Sequence, residues 1–338
     1  MRNAGHLYRT YDMPPMTGPD GPVESVAIIG YGNQGRAQAH NFRASGLPVV
    51  IGLREKSPAK QKAESDGFKV GTIADVCRDA SVIVILVPDE FIGDVAGVVQ
   101  ENARDGSILV LAHGASLHFN RWKPIEGLDC GLIAPHGPGL EVLRMYNEGS
   151  GVPAILAIVQ DVTGRCAERL EILAAAIGCG RKGAGIRWST LQEEVETDLF
   201  VEQALLVGGV IELLRAVVAT MIRAGYDPAI CRMSTIYELP HIANIYEKLG
   251  PVEAFKAISP TAAFGAAMRG PRLVDQHTRR ILDDILEEIR SGNFLNELES
   301  PEAPILLGKY IDDLEASHLA KADKPFHTES VNSETPVD

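Results

Sequence analysis

The sequence has no excess of positive charge, no C-x-x-C pair and no apolar run long enough for a bilayer. Its 32 Lys and Arg residues are outnumbered by 45 Asp and Glu, for a net charge of −13. So acidic a surface repels phosphate backbones and argues against a nucleic-acid partner. It leaves room for an anionic metabolite held by local cations or metal ions. The five cysteines (Cys77, Cys130, Cys166, Cys179 and Cys231) are odd in number and widely spaced. Neither a disulfide framework nor a structural zinc site is expected, but reduced, mostly buried thiols are. No uninterrupted apolar stretch reaches the roughly 18–20 residues of a membrane helix. Residues 1–22 are polar and proline-bearing, without the apolar centre of a signal peptide. The expectation is a cytoplasmic protein without membrane association.

What is present is a globular composition, with 45% apolar residues and a mean hydropathy of +0.01. A length of 338 residues suggests two domains, or one large domain with an appendage. Short apolar runs at Val26–Ile29, Val49–Leu53, Val82–Val87, Ile108–Ala112, Leu132–Ala134 and Val152–Val159 read as strands. Helix-like stretches separate most of them: Gly35–Ser45, Ala59–Asp66, Phe91–Ala103 and Gly164–Ile177. Such alternation predicts an α/β domain of βαβ units around a buried parallel sheet. After about residue 189 no strand signal follows. Thr190–Ala224 is one long helical pattern, with Gly208-Gly209 as a candidate break. Asp227-Pro228 restarts a helix, Gly270-Pro271 reads as a turn, and Leu273–Arg290 as another helix. From Asp312 the chain turns polar and reads as a disordered tail. The expected divisions are an arm (1–22), a dinucleotide-binding α/β domain (23–189), an all-helical domain (190–311) and a tail (312–338).

The first strand runs into Gly30, Tyr31, Gly32, Asn33, Gln34 and Gly35, a G-x-G-x-x-G between strand and helix. Gly30 allows the tight turn, Gly32 the approach of a pyrophosphate, and Gly35 close packing of helix on strand. The helix N-terminus offers free N–H groups to phosphate. About 20 residues on, an NAD site usually places a carboxylate at the end of the second strand. Here Arg54 comes first, with Lys56, Ser57 and Lys60 following. Cations and a hydroxyl suit a 2′-phosphate, so NADPH is the expected cofactor, with Glu55 as the counter-indication.

In the helical half Glu194, Asp198 and Glu202 stand at i, i+4 and i+8 and share a helix face. Oxygen ligands of this kind suit Mg²⁺. On spacing alone such a stripe is a solvated face.

The segments VAIIGYGNQGRAQAHN, GLREKS, LVPDE, LAHG, APHGPG, GVPAILAIVQD and EVETDLFVEQ, in that order, resemble ketol-acid reductoisomerase of the short bacterial class, and ISPTAAFG and GPRLVD continue the resemblance. It extends from Val26 to Leu298. It implies a Rossmann-like domain followed by a knotted helical domain, and at least a homodimer whose partner chain completes each site. The implied activity is the Mg²⁺-dependent alkyl shift of 2-acetolactate followed by NADPH reduction to 2,3-dihydroxy-isovalerate, in branched-chain amino-acid synthesis. The implied cofactor residues are Gly30, Tyr31, Gly32, Asn33, Gln34, Gly35, Arg54, Lys56, Ser57 and Asp89. His113 of AHG is the implied active-site histidine, and Asp198 and Glu202 are the implied Mg²⁺ carboxylates. The resemblance further implies that Glu238 is one acid of a second pair, supplied across the dimer, and that Ser259 hydrogen-bonds the substrate carboxylate.

Several positions depart from the pattern. His136 stands where the family has a lysine tied to proton handling in the alkyl shift. Ser234 stands where the family has the other acid of the Glu238 pair. Pro240 replaces a usual lysine, removing an N–H and threatening a kink beside Glu238. Ala59 replaces a second phosphate-binding serine. His136 or His241 could join the acids around a softer metal such as Zn²⁺, Mn²⁺ or Fe²⁺. Two alternatives to the full reductoisomerase therefore stand: a reductase of another 2-keto acid that has lost the alkyl shift, and a non-catalytic dinucleotide-binding protein.

Overall fold

The computed structural model describes residues 24–88, 91–181 and 184–327. The expected arm, Asp89 and the end of the expected tail lie outside them. The chain divides into two compact units, with the boundary after Thr197.

The first unit alternates strands and helices: β1 Val26–Ile29, α1 Asn33–Ala44, β2 Val49–Leu53, α2 Ala59–Ser65, β3 Lys69–Thr72, α3 Ile73–Asp79, β4 Val82–Ile85, α4 Ile92–Asn102, β5 Ile108–Leu111, α5 Ala115–His118, β6 Asp129–Pro135, α6 Gly139–Asn147, β7 Ala154–Gln160, α7 Cys166–Ala176 and β8 Ile186–Trp188. The eight strands form one sheet in the order β3-β2-β1-β4-β5-β6-β7-β8. β1 lies between β2 and β4, with Val26 paired in register to both Val49 and Val82. β1, β4 and β5 are fully buried along their length. Their alternate residues feed two cores, one on each face of the sheet. Val26, Ile28, Val82, Val84, Ile108 and Val110 join one core. Ala27, Ile29, Ile83, Ile85, Leu109 and Leu111 join the other. This is why those strands read as unbroken apolar runs rather than alternating ones.

Two features differ from the sequence expectation. The sheet is mostly parallel, but β6 and β7 pair antiparallel. Two edge strands, β3 and β8, carry too little apolar signal to be read: KVGT is half polar, and IRW is only three residues long.

At the amino ends of the central strands, one side chain fastens the sheet. Arg169 of α7 donates to the Gly106 carbonyl at 2.8 Å and the Ser81 carbonyl at 2.7 Å, and pairs with Glu24 and the fully buried Asp129 at 3.3 Å each. Burial works against the Asp129 carboxylate, but the Thr163 hydroxyl and the amides of Thr163 and Val162 hold it below the usual carboxylate range.

The second unit is helical. α8 (Leu191–Val201) enters it and passes through a π-turn, Glu202–Leu206, into α9 Gly208–Arg223. The helix is not broken at Gly208-Gly209. A Cβ at Gly208 would lie 2.1 Å from the Gln203 carbonyl oxygen, and one at Gly209 would lie 2.3 Å from that of Ala204. The glycine pair accommodates the widened turn. Then follow α10 Pro228–Arg232, a second π-turn Met233–Tyr237, α11 Leu239–Ala257, α12 Pro260–Leu273, α13 Gln276–Arg290, α14 Asn293–Leu298, α15 Ala303–Ala316 and α16 His318–His327. Gly270-Pro271 lies inside α12 rather than in a turn, and α15 and α16 occupy the start of the expected tail. Pro240 sits in the first turn of α11, where its missing N–H has no partner to lose, so the expected kink is replaced by a helix restart.

The second unit buries little. Val218, Cys231 and Leu319 form its core cluster, while Leu205, Leu206, Leu213, Phe264, Leu306 and Leu307 are more than half exposed. The continuous helix Leu191–Arg223 is also long and apolar enough to cross a membrane. That helix mixes charged and apolar residues, so no unbroken apolar run marks it in the sequence. Among its polar residues, Arg215 and Glu212 pair at 2.7 Å.

Candidate active site

In an open α/β sheet a ligand binds beyond the carboxyl ends of the strands, where the strand order reverses. Here that point lies at β1 and β4. The G-x-G-x-x-G follows β1, Arg54 follows β2, His113 follows β5 and His136 follows β6.

The three glycines have different reasons. Gly30 has φ +100°, and a Cβ there would lie 2.4 Å from the Leu86 carbonyl oxygen. A Cβ at Gly35 would lie 2.5 Å from the Gly30 carbonyl oxygen. At Gly32 a Cβ would meet nothing within 4 Å. Packing dictates Gly30 and Gly35, and open space at Gly32 is what a pyrophosphate on the α1 amides needs. The residues present therefore fit a dinucleotide.

Tyr31, Gln34 and the adjoining Arg36 hold the loop in place. Tyr31 is buried, and its hydroxyl donates to Asp66 at 2.8 Å. Arg36 donates to the same carboxylate at 2.7 Å. Those hydrogen bonds, Arg36 foremost, hold Asp66 well below the usual carboxylate range, and burial together with Asp66 pushes the Tyr31 phenol up. The Gln34 amide donates to the Gly137 carbonyl at 2.9 Å, beside His136. The side chains of Tyr31 and Gln34 anchor the loop, while Asn33 is exposed. At the end of β2, the Ser57 amide donates to the Arg54 carbonyl at 3.0 Å, closing a turn that groups Arg54, Lys56 and Ser57.

The opening turns of α8 pack on the segment that follows β5. His113 Nδ1 lies 4.0 Å from Glu194 Oε1, and Glu194 is only 3% exposed. His118 pairs with Glu196 at 3.6 Å, and Gln192 donates to Glu196 at 2.7 Å. Glu194 is therefore no member of a solvated stripe. The sequence placed it on the face of Asp198, but its burial comes from packing on the loop around Gly114. His118 and Glu196 were passed over altogether; the signal was the second histidine in AHGASLH.

Asp198, half-buried, is one turn beyond Glu194 on α8, and Glu202 opens the first π-turn. These two are hard oxygen donors, the chemistry Mg²⁺ prefers. Ser234 lies within the second π-turn and Glu238 directly after it. Functional positions often sit at such turns, since one extra residue re-aims the side chains that follow. Ser259 is the N-cap of α12, its oxygen accepting from the Ala262 amide at 3.3 Å. His136 is exposed; its amide donates to the Pro153 carbonyl at 2.8 Å. Among the described residues its imidazole makes no hydrogen bond.

Residues 23–183 match the family described as acetohydroxy acid isomeroreductase, NADPH-binding domain, and residues 191–325 match the ketol-acid reductoisomerase C-terminal domain. The chain belongs to the ketol-acid reductoisomerase family. It is an oxidoreductase of that family, and the two matches run from just before β1 into α16. It is 40% identical over 275 residues to the ketol-acid reductoisomerase (NADP(+)) of Methanothermobacter thermautotrophicus, covering 81% of this chain and 83% of that one. The solved structure of an NADH-preferring ketol-acid reductoisomerase from an uncultured archaeon superposes with a TM-score of 0.85 at 29% identity, covering 90% and 94% of the two chains. A pyrroline-5-carboxylate reductase of Coxiella burnetii, at 15% identity and TM-score 0.56 over 79% and 96% of the chains, shares the fold.

Proposed function

We propose that the protein is an NADPH- and Mg²⁺-dependent ketol-acid reductoisomerase acting on 2-acetolactate. The observation that carries this reading is the pairing of His113 with the buried Glu194. It fixes an imidazole at the carboxyl end of β5 and continues the same helix face to Asp198.

The residues divide the work. The α1 amides and Gly32 receive the pyrophosphate, and Arg54, Lys56 and Ser57 receive the 2′-phosphate. Glu194 orients His113, which then holds or passes a proton at the substrate hydroxyl. The Ser259 oxygen accepts from an amide, leaving its O–H to donate to the substrate carboxylate. Asp198 and Glu202, with Glu238, would hold the metal. Bound there, NADPH supplies the hydride and Mg²⁺ the Lewis acidity for both alkyl shift and reduction.

A homodimer belongs to this proposal. Large apolar side chains left exposed over the second unit are what a second copy of the chain would cover, and they account for the apolar α9 without a bilayer. The mass of the protein in solution tests it, a monomer being the contrary result.

A second reading has its own support. His136 offers no ammonium, and Ser234 no anionic oxygen, so the two departures fall on the alkyl shift rather than on hydride transfer. On this reading the protein reduces a 2-keto acid without isomerising it. A purely non-catalytic binding role leaves the burial of Glu194 beside His113 without a purpose.

The deciding experiment follows NADPH oxidation with Mg²⁺ and 2-acetolactate, beside the already rearranged 3-hydroxy-3-methyl-2-oxobutyrate. Turnover of both supports the reductoisomerase. Turnover of the second alone supports the reductase. Turnover of neither, with NADPH bound, returns the non-catalytic reading.

A further inference from the structure

We propose that Phe91 is the positioning residue that sets cofactor preference, by holding the Arg54 guanidinium where it reads a 2′-phosphate. The inference rests on the NADPH reading above and deepens it.

Arg54 is the first residue after β2, and Phe91 stands at the N-cap of α4 just after β4. These strands flank β1 on opposite sides. Arg54 Cζ lies 4.5 Å from the centre of the Phe91 ring, so the stack bridges the carboxyl end of β1, where the phosphate loop begins. Arg54 itself is exposed, and among the described residues it makes no ion pair. An unheld arginine at that place would sample many rotamers and lose them on binding. Held over a half-buried ring, the guanidinium is restrained in advance.

Among the described residues the Arg54 guanidinium donates no hydrogen bond, so its N–H groups can meet a phosphate in a bidentate manner. Ala59 removes one hydroxyl from the neighbouring phosphate-binding turn, which leaves more of the recognition to Arg54. The preference for the phosphorylated cofactor then depends on a residue that does not touch the phosphate.

The test measures binding of adenosine 2′,5′-bisphosphate and adenosine 5′-monophosphate to the full-length protein by calorimetry. The affinity ratio reads recognition of the 2′-phosphate alone. Phe91→Ala and Phe91→Leu are expected to lower that ratio about threefold to tenfold, and Phe91→Tyr to keep it. Phe91→Leu retains the apolar bulk, so it separates lost stacking from disturbed packing. In an Arg54→Ala background, Phe91→Ala is expected to change the ratio no further. An unchanged ratio in both Phe91→Ala and Phe91→Leu overturns the inference alone. A wild-type protein without preference for the bisphosphate overturns the NADPH reading beneath it.

Discussion

Gly114 faces Leu191 so closely that a methyl group on it would lie 2.2 Å from Leu191 Cδ1, with Val195 Cγ2 next at 3.3 Å. The glycine of AHG is the socket that lets α8 approach the loop after β5. Gly114→Ala is expected to destabilise the protein by about 1–3 kcal/mol, as overpacked cores do, and to lower kcat more than the cofactor KM. Because Leu191 Cδ1 is the tip of a flexible side chain, Leu191→Ala in the same chain should restore part of the stability. Thermal melts and steady-state kinetics on the two single variants and the double variant check this. Failure of the second substitution to relieve the first would place the strain elsewhere.

Gly30 and Gly32 separate stability from binding. Gly30→Ala forces a side chain onto a residue with φ +100° against the Leu86 carbonyl, and should lower the melting temperature markedly. Gly32→Ala enters open space, and should leave the melt nearly unchanged while weakening NADPH by about tenfold or more, ~1.4 kcal/mol. Calorimetry and melts on the same samples distinguish the two. Equal loss of stability in both would contradict the assignment of the open space at Gly32 to a ligand.

Asp66 predicts an acid-sensitive first unit. Arg36, Tyr31 and His40 lower its folded pKa beneath the unfolded value of about 3.9. The stabilisation is therefore complete above that unfolded value and is lost as pH falls through the folded one. Asp66→Asn should cost about 2 kcal/mol at neutral pH, as loss of a hydrogen-bonded charge does. The deficit should narrow progressively below pH ~4. Denaturant melts across that range report it; a deficit constant with pH would remove Asp66 as the source.

The substitutions at His136 and Ser234 are tested by reversing them. If they limit the alkyl shift, His136→Lys combined with Ser234→Glu should raise turnover of 2-acetolactate at least about tenfold over the native chain. Turnover of the rearranged keto acid should change little. No gain on acetolactate would show that these two positions are not what limits the reaction.

The central strands were legible because β1, β4 and β5 are buried on both faces and so are apolar at every position. The direction of β7 was not, since an apolar run reads the same in either direction. The phosphate loop was legible as a pattern, whereas the hydrogen bonds that Tyr31 and Gln34 make within the protein are tertiary facts. Asp198 and Glu202 stood out by spacing, whereas the burial of Glu194 is a tertiary fact. Gly270-Pro271 misled because α12 runs on to Leu273 despite the N–H that Pro271 lacks, and Gly208-Gly209 misled because the glycines accommodate a widened turn rather than a break.

Arg169 ties together segments 40, 63, 88 and 145 residues distant from it along the chain. Contacts of such long range are expected to close late, after β1, β4, β5 and β6 have found their order, because the loop-closure cost falls before they form. The residue therefore contributes little to the barrier for assembling the sheet and much to the barrier for taking it apart. Arg169→Met should leave the refolding rate nearly unchanged while unfolding accelerates by most of the lost stability. The guanidinium acts as a latch on the finished sheet, and what it governs is the lifetime of the native state.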